Sequence, residues 1–128
     1  MVIDSSAIIA ILGSEPKAER LAEAIANDTI RLMSAASLLE IAIVIEARYG
    51  EPGGDKLDQL LQIAQIKIEP VTVEQVEVAR RAYRRYGKGR HPAALNFGDC
   101  FAYALAKVLD EPLLHTGDDF SKTDLKQA

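Results

Sequence analysis

The sequence predicts an α/β protein, a three-layer α/β/α arrangement around a central, mostly parallel sheet of four to five strands. Short apolar or β-branched runs, Val2-Ile3, Ile30-Arg31-Leu32-Met33, Ile66-Lys67-Ile68-Glu69 and Leu113-Leu114-His115-Thr116, are separated by stretches of helical periodicity. Strands alternating with helices imply a parallel sheet covered on both faces. Capping residues stand at the joints, as they should where helices begin. At 128 residues and 48% hydrophobic composition the chain can bury one substantial core but not two, so one domain is expected over residues 1–128.

Val2-Ile3 is too short for a helix and suits a strand. Ser5 or Ser6 can cap a helix carrying Ala7, Ile8 and Ile11, which leaves Asp4 at the strand's carboxyl end, the edge where sites form in open parallel sheets. The plain alternative is that Asp4 only caps that helix. Gly13 is a stop, and Ser14-Glu15-Pro16 restarts a helix with Ala18, Leu21, Ala22 and Ile25 on one stripe, ended by Asn27-Asp28. After the strand 30–33, Ser34 caps a long helix through Leu38, Ile41, Ile45 and Tyr49, closed by Gly50. Residues 50–54, Gly-Glu-Pro-Gly-Gly, read as a loop, and Asp55 opens a helix with Leu57, Leu60, Leu61 and Ala64 on one side. Pro70 limits the strand 66–69. Thr72-Val73-Glu74-Gln75 has the form of a capping box and predicts a helix from about Val73 to Tyr86, ending at Gly87. Beyond a second loop, Asn96 caps the helix of Phe97, Cys100, Phe101, Ala104 and Val108. The last strand, 113–116, leads into Gly117-Asp118-Asp119-Phe120 and a polar tail.

A formal net charge of −4 excludes coating nucleic acid by bulk electrostatics, leaving only a local basic patch to be sought. Cys100 is the single cysteine, so there is neither a disulfide framework nor a cysteine cluster for zinc; it reads as a small buried helix residue in a protein of the reducing cytoplasm. No apolar run approaches the roughly 20 residues that span a bilayer, and Asp4 interrupts what would be a signal peptide's start, so no membrane association is expected.

Four carboxylates stand in unusual places. Glu40 interrupts Leu38-Leu39-Glu40-Ile41-Ala42-Ile43-Val44-Ile45, on a face that is otherwise apolar or small. An ionised carboxylate buried there needs a cationic partner, and on this residue alone a buried arginine and a metal ion account for it equally well. Asp99 is third in the helix opened by Asn96, where it can close a capping box; Gly98 beside it removes side-chain bulk, as an approach path for a ligand would require. Asp118 and Asp119 follow the last strand as Asp4 follows the first, and either could be a turn residue. One shared site accounts for all four acids more simply than four separate structural roles. Clustered carboxylates repel unless a cation neutralises them. Oxygen ligands with no cysteine cluster and only His91 and His115 suit Mg²⁺ or Mn²⁺ over zinc. Both histidines read as surface or supporting residues.

These fragments together resemble the PIN-domain ribonucleases of the toxin type found in bacterial and archaeal toxin–antitoxin pairs, the VapC-like proteins. The resemblance rests on Val2-Ile3-Asp4-Ser5-Ser6-Ala7, on Glu40 in a helix opened by Ser34, on Asn96-Phe97-Gly98-Asp99-Cys100-Phe101-Ala102-Tyr103-Ala104-Leu105-Ala106, and on Leu113-Leu114-His115-Thr116-Gly117-Asp118-Asp119-Phe120. It spans nearly the whole chain. It implies an acidic quartet of Asp4, Glu40, Asp99 and Asp118, with Asp4 and Asp99 holding the principal Mg²⁺ or Mn²⁺ ion and Ser6, Thr116 and Asp119 in support. The family often places its last acid three residues before the phenylalanine, where this chain has Gly117, so Asp118 or Asp119 must serve; the spacing Thr116-x-Asp118 favours Asp118. The resemblance further implies metal-assisted hydrolysis of RNA, leaving a 5′-phosphate and a 3′-hydroxyl, a small antitoxin partner that blocks the site, and a homodimer, for which the apolar residues of the first helices could serve.

An acidic site needs cations nearby to hold phosphate. Arg80, Arg81, Arg84, Arg85, Lys88 and Arg90 cluster where no Asp or Glu occurs between Val78 and Gly98. The like-charged pairs Arg80/Arg84 and Arg81/Arg85 at i, i+4 weaken the helix itself, which a polyanion would relieve. Tyr83 or Tyr86 could stack a base or could pack in the core. An aspartyl-phosphate phosphatase would require a second Asp two residues after Asp4, where Ser6 stands. The remaining alternative is a catalytically silent module whose acids recognise RNA or a basic protein.

Overall fold

Side-chain alternation on very short strands decides where the core sits. In the computed structural model, which covers residues 1–128, β1 (Val2–Ile3) lies between β2 (Leu32–Ser34) and β4 (Leu113–Leu114), and β3 (Lys67–Glu69) flanks β2. All three pairings are parallel, with Val2 opposite Leu32 and Leu113 and Ile3 opposite Leu114. Successive residues point to opposite faces, so Val2, Leu32 and Leu113 serve one core and Ile3, Met33 and Leu114 the other. Helices α5 (Val73–Tyr86) and α6 (Phe97–Leu109) cover the first face with Tyr86, Tyr103 and Leu105. The second is covered by α1 (Ser5–Leu12), α2 (Ala18–Asn27), α3 (Ala35–Tyr49) and α4 (Glu51–Ile63) with Ile8, Leu21, Ile41, Ile45 and Leu57. The expected three-layer α/β/α architecture results. Burial on both faces is why these strands are apolar runs rather than alternating ones.

Several boundaries differ from the sequence expectation. Helix α4 starts at Glu51 rather than Asp55. Pro52 is tolerated in the first turn, and Gly53 lets α4 close on α3: a Cβ there would lie 2.8 Å from both Ile45 Cγ2 and Tyr49 Cβ. Gly50, at φ +68°, makes the reversal between the two helices. Helix α2 begins at Ala18, after Ser14-Glu15-Pro16 rather than within it. Strand β2 is Leu32–Ser34; Arg31 precedes it, accepting from Lys67 N at its carbonyl while its guanidinium donates to the carbonyls of Ala26, Asp28 and Ala64. At α5 only half of the capping box forms: Thr72 Oγ1 accepts from Gln75 N at 3.1 Å, while the Gln75 amide donates to the Pro70 carbonyl. The polar tail is not loose. Leu113 N donates to the Lys126 carbonyl and Ala128 N to that of Leu113, adding a short parallel lane beside β4.

The order β3-β2-β1-β4 makes β1 the strand on whose two sides the chain runs in opposite directions across the sheet. In open α/β sheets the crevice at the carboxyl ends of such strands is where ligands bind. Here those ends belong to β1 and β4.

Candidate active site

Asp4 leaves β1 at that crevice and is only 3% exposed. Its main-chain N–H donates to the Leu114 carbonyl at 2.9 Å, fixing it between the two strand ends. Asp4 itself, not Ser5 or Ser6, is the N-cap of α1: its Oδ2 accepts from Ser6 N at 3.1 Å. The cap releases both serine hydroxyls. Ser5 Oγ donates to Glu40 Oε1 at 2.6 Å, and Ser6 Oγ accepts from Thr116 N at 3.1 Å, so one serine holds an acid and the other ties α1 to the end of β4. Burial pushes the Asp4 carboxyl above its ordinary range; hydrogen bonding from Ser6 opposes this, Glu40 adds to it and His115 relieves it.

Glu40 reaches the crevice from α3 and Asp99 from α6. No arginine meets Glu40; its partner is the Ser5 hydroxyl, and no ion pair in the molecule includes Asp4, Glu40 or Asp99. The space opened by Gly98 is filled by Glu40, since a Cβ at Gly98 would lie 2.2 Å from Glu40 Oε2. Asp99 forms the complete capping box with Asn96: its Oδ2 accepts from Asn96 N and its N–H donates to Asn96 Oδ1, both at 2.9 Å. The structural and the site reading of Asp99 therefore describe the same side chain. Its carboxyl is pushed up to about 6, chiefly by burial, with the Asn96 N–H opposing and the charges of Asp4, Asp119 and Glu40 adding.

Asp4, Glu40 and Asp99 thus feel one another across β1, α3 and α6. Each spends one carboxylate oxygen on the protein and leaves the other, Asp4 Oδ1, Glu40 Oε2 and Asp99 Oδ1, without a hydrogen-bond partner. No three His, Cys, Asp or Glu side chains converge closely enough to enclose a cation by themselves. Of the two acids after β4, both are exposed; the charge of Asp119 is among those that raise the Asp99 carboxyl, and the Asp118 carbonyl accepts from Ser121 Oγ at 2.6 Å. Thr116 enters through its main-chain N–H. His115 packs its ring 5.1 Å from that of Phe120 and pairs with Gln127, while His91 accepts from Ala93 N and meets Tyr86 edge-on. Ser5 and Gly98 as the supports of Glu40 escaped the sequence reading. The adjacency of Asp4-Ser5 and Gly98-Asp99 was the available signal.

The six cations of the Arg80–Arg90 segment are all exposed. They do not all line one cleft. Arg80, Arg84 and Arg90 line a cleft between α5 and α6, Arg85 lies 4.8 Å over the Tyr86 ring, and Arg81 and Lys88 stand outside the cleft. Tyr86 is 4% exposed and packs against Tyr103, so it cannot stack a base, whereas Tyr83 reaches the cleft. Of the apolar residues of the first helices, Ala7, Ile8, Leu21 and Ile25 fill the core, while Ile9, Ile11 and Leu12 are only half-buried. Exposed apolar side chains appear instead at Leu39 and Ile43 of α3 and at Phe97. No helix is long and apolar enough to cross a membrane.

Residues 1–126 match the PIN domain family. The chain is 58% identical over 125 residues to a Ribonuclease VapC of Mycolicibacterium smegmatis, covering 98% of this chain and 97% of that protein. It is 57% identical to Ribonuclease VapC30 of Mycobacterium tuberculosis, covering 98% and 95%. The fold superposes on the crystal structure of Mycobacterium tuberculosis VapC20, a Sarcin-Ricin loop cleaving toxin, with a TM-score of 0.81 at 16% identity over 99% and 97% of the two chains. It also superposes on VapBC2 of Rickettsia felis, solved with a promoter DNA fragment, with a TM-score of 0.75 at 15% identity over 99% and 96%. With a family match over almost the entire sequence and relatives of this identity and coverage, the chain belongs to the PIN domain family and, within it, to the VapC ribonucleases.

Proposed function

We propose that this protein is a divalent-metal-dependent endoribonuclease, the toxin of a toxin–antitoxin pair, hydrolysing RNA phosphodiester bonds at Asp4, Glu40 and Asp99. The observation that carries the reading is the placement of three carboxylates, after β1 and on α3 and α6, near enough for their charges to act on one another, with no protein cation paired to them and one free oxygen on each. The ribonuclease names of the relatives support the RNA substrate. The donor set fits a hard cation. All free donors are oxygens, which suits Mg²⁺ or Mn²⁺, with Asp4 and Asp99 as the ligands proposed for it.

When bound, such an ion neutralises the clustered acids, lowers the pKa of water and offsets charge on the phosphate oxygens. The protein's own groups do the rest. Asp4 is locked by its cap and its strand, and Asp99 by its capping box, so neither needs to reorganise. Glu40, held by Ser5, orients the attacking water or assists a second ion. Asp118 or Asp119, both exposed after β4, serves as the fourth acid. Attack by water leaves a 5′-phosphate and a 3′-hydroxyl, without using the RNA's own 2′-hydroxyl.

The unpaired acids also suit an antitoxin that presents Arg or Lys to them, in line with the toxin–antitoxin complex from Klebsiella pneumoniae that shares this fold. The exposed Leu39 and Ile43 beside Glu40, with the half-buried Ile9, Ile11 and Leu12 of α1, offer apolar surface to a homodimer. An RNA substrate and a single free thiol both fit the reducing cytoplasm. The test is cleavage of structured and unstructured RNA by wild type and Asp99→Asn, each free of antitoxin, in Mg²⁺, Mn²⁺ or EDTA, with analysis of product ends. Metal-dependent cutting by wild type alone, with 5′-phosphate ends, is expected. Equal cutting by both proteins overturns the reading.

A further inference from the structure

Between α5 and α6 lies a cavity of about 570 Å³, a size within the roughly 300–1,000 Å³ typical of ligand sites. Its wall joins three arginines, Arg80, Arg84 and Arg90, to three aromatic rings, Tyr83, Phe97 and Phe101. Phe97 is the first residue of α6, two residues before Asp99, and is 78% exposed. Its ring meets that of Phe101 edge-on, at 5.0 Å and 87°, so its position is supported while its outer face is left to solvent. A phenylalanine gains nothing from water and much from a flat partner. Arg80 has one weak partner, Glu77 at 3.5 Å, and neither Arg84 nor Arg90 has any, so the cleft is a positive rim around an apolar floor in a chain of net charge −4.

We propose that this cleft is a base-stacking subsite: one unpaired nucleobase of the RNA stacks on Phe97, and Arg80, Arg84 and Arg90 take the phosphates on either side. The inference rests on the ribonuclease reading and adds to it the residues that hold the strand. A base in a duplex has both faces covered by its neighbours, so only a single-stranded segment can offer one to Phe97. Phe97, Cys100 and Phe101 put the cleft on one side of α6, and Asp99, two residues from Phe97, points to another, so the subsite holds the strand alongside the helix that carries the acid. A second copy of the chain fits the cleft poorly, since a two-fold contact would set the same three arginines against one another. The charge instead complements a polyanion.

The test is fluorescence anisotropy with the full chain, free of antitoxin and in EDTA, using a labelled uridine heptanucleotide and a labelled RNA duplex of the same length. Wild type should prefer the single strand. Phe97→Leu should lose about tenfold or more in affinity for it while binding the duplex as before, and Phe97→Trp should retain the preference. Arg84→Gln should reduce the slope of log affinity against log salt by about one. The subsite is overturned if wild type shows no preference, if Phe97→Leu binds the heptanucleotide like wild type, or if it weakens both RNAs alike. It is also overturned if Phe97→Leu leaves RNA affinity intact and turns a dimer into a monomer in sedimentation. Cleavage in Mg²⁺ or Mn²⁺ is scored separately. Cutting by wild type with unchanged Phe97→Leu binding removes the subsite and keeps the ribonuclease; strand-selective binding without cutting does the reverse.

Discussion

A carboxylate is useful to a metal site only if its geometry is held, and Glu40 is held by two residues that have no charge. Ser5 donates to one of its oxygens and the missing side chain of Gly98 makes room for the other. In Gly98→Ala the new Cβ, 2.2 Å from Glu40 Oε2, must displace the acid. Alanine is the better helix former by about 1 kcal/mol, so the fold should persist, while RNA cleavage should fall by about tenfold to a hundredfold. Kinetics alongside thermal melting would check this, and an unchanged rate would show that Glu40 is not placed through Gly98. Asp99 gives a second residue-scale expectation. With the folded carboxyl at about 6 against an ordinary 3.8, the native state binds the proton more tightly. The associated stability is fully present below about 4 and is lost as pH rises through about 6. Asp4, also raised, has the same sign. In EDTA the melting temperature should therefore rise as pH is lowered from about 7 to about 5, and Asp99→Asn should flatten that rise.

Among the elements, α4 shows how tertiary contact overrides a local reading. Gly-Glu-Pro-Gly-Gly has turn composition, yet it forms the first turn of a helix because the glycines let α4 press onto α3. The two interior glycines are not equivalent. At Gly53 a Cβ meets Ile45 and the Tyr49 Cβ at 2.8 Å, inside packed structure; at Gly54 it meets only the flexible Glu46 side chain, at 3.2 Å. Gly53→Ala should cost about 1–3 kcal/mol through overpacking. Gly54→Ala should be neutral or stabilise by up to about 1 kcal/mol through helix propensity. Urea unfolding of the two variants distinguishes the cases, and equal midpoints would mean that α4 does not rest on α3 as described. Helices α3 and α5, by contrast, begin and end where their caps and closing glycines predict. Their signals are local, and no neighbour contradicts them.

For the whole molecule, the unneutralised acids at the β1 and β4 ends make stability depend on cations. A ligand that binds only the folded state stabilises it by mass action, about 2.7 kcal/mol at a hundredfold excess over its dissociation constant. Adding Mg²⁺ or Mn²⁺ should raise the melting temperature of wild type and leave that of Asp4→Asn unmoved; an equal rise in both would place the ion elsewhere. The sequence alone determined the α/β class, the parallel sheet, most helices and the acids worth explaining, because periodicity, caps and misplaced charges are features of neighbouring residues. Only the tertiary structure decided that Asp4 both caps α1 and faces Glu40, that Ser5 and Gly98 hold Glu40, and that Tyr86 is buried while Phe97 stands exposed. The physical reason is sequence distance. Ser5 and Glu40 are 35 residues apart, and no local pattern records which hydroxyl a carboxylate will meet once two helices pack across a sheet.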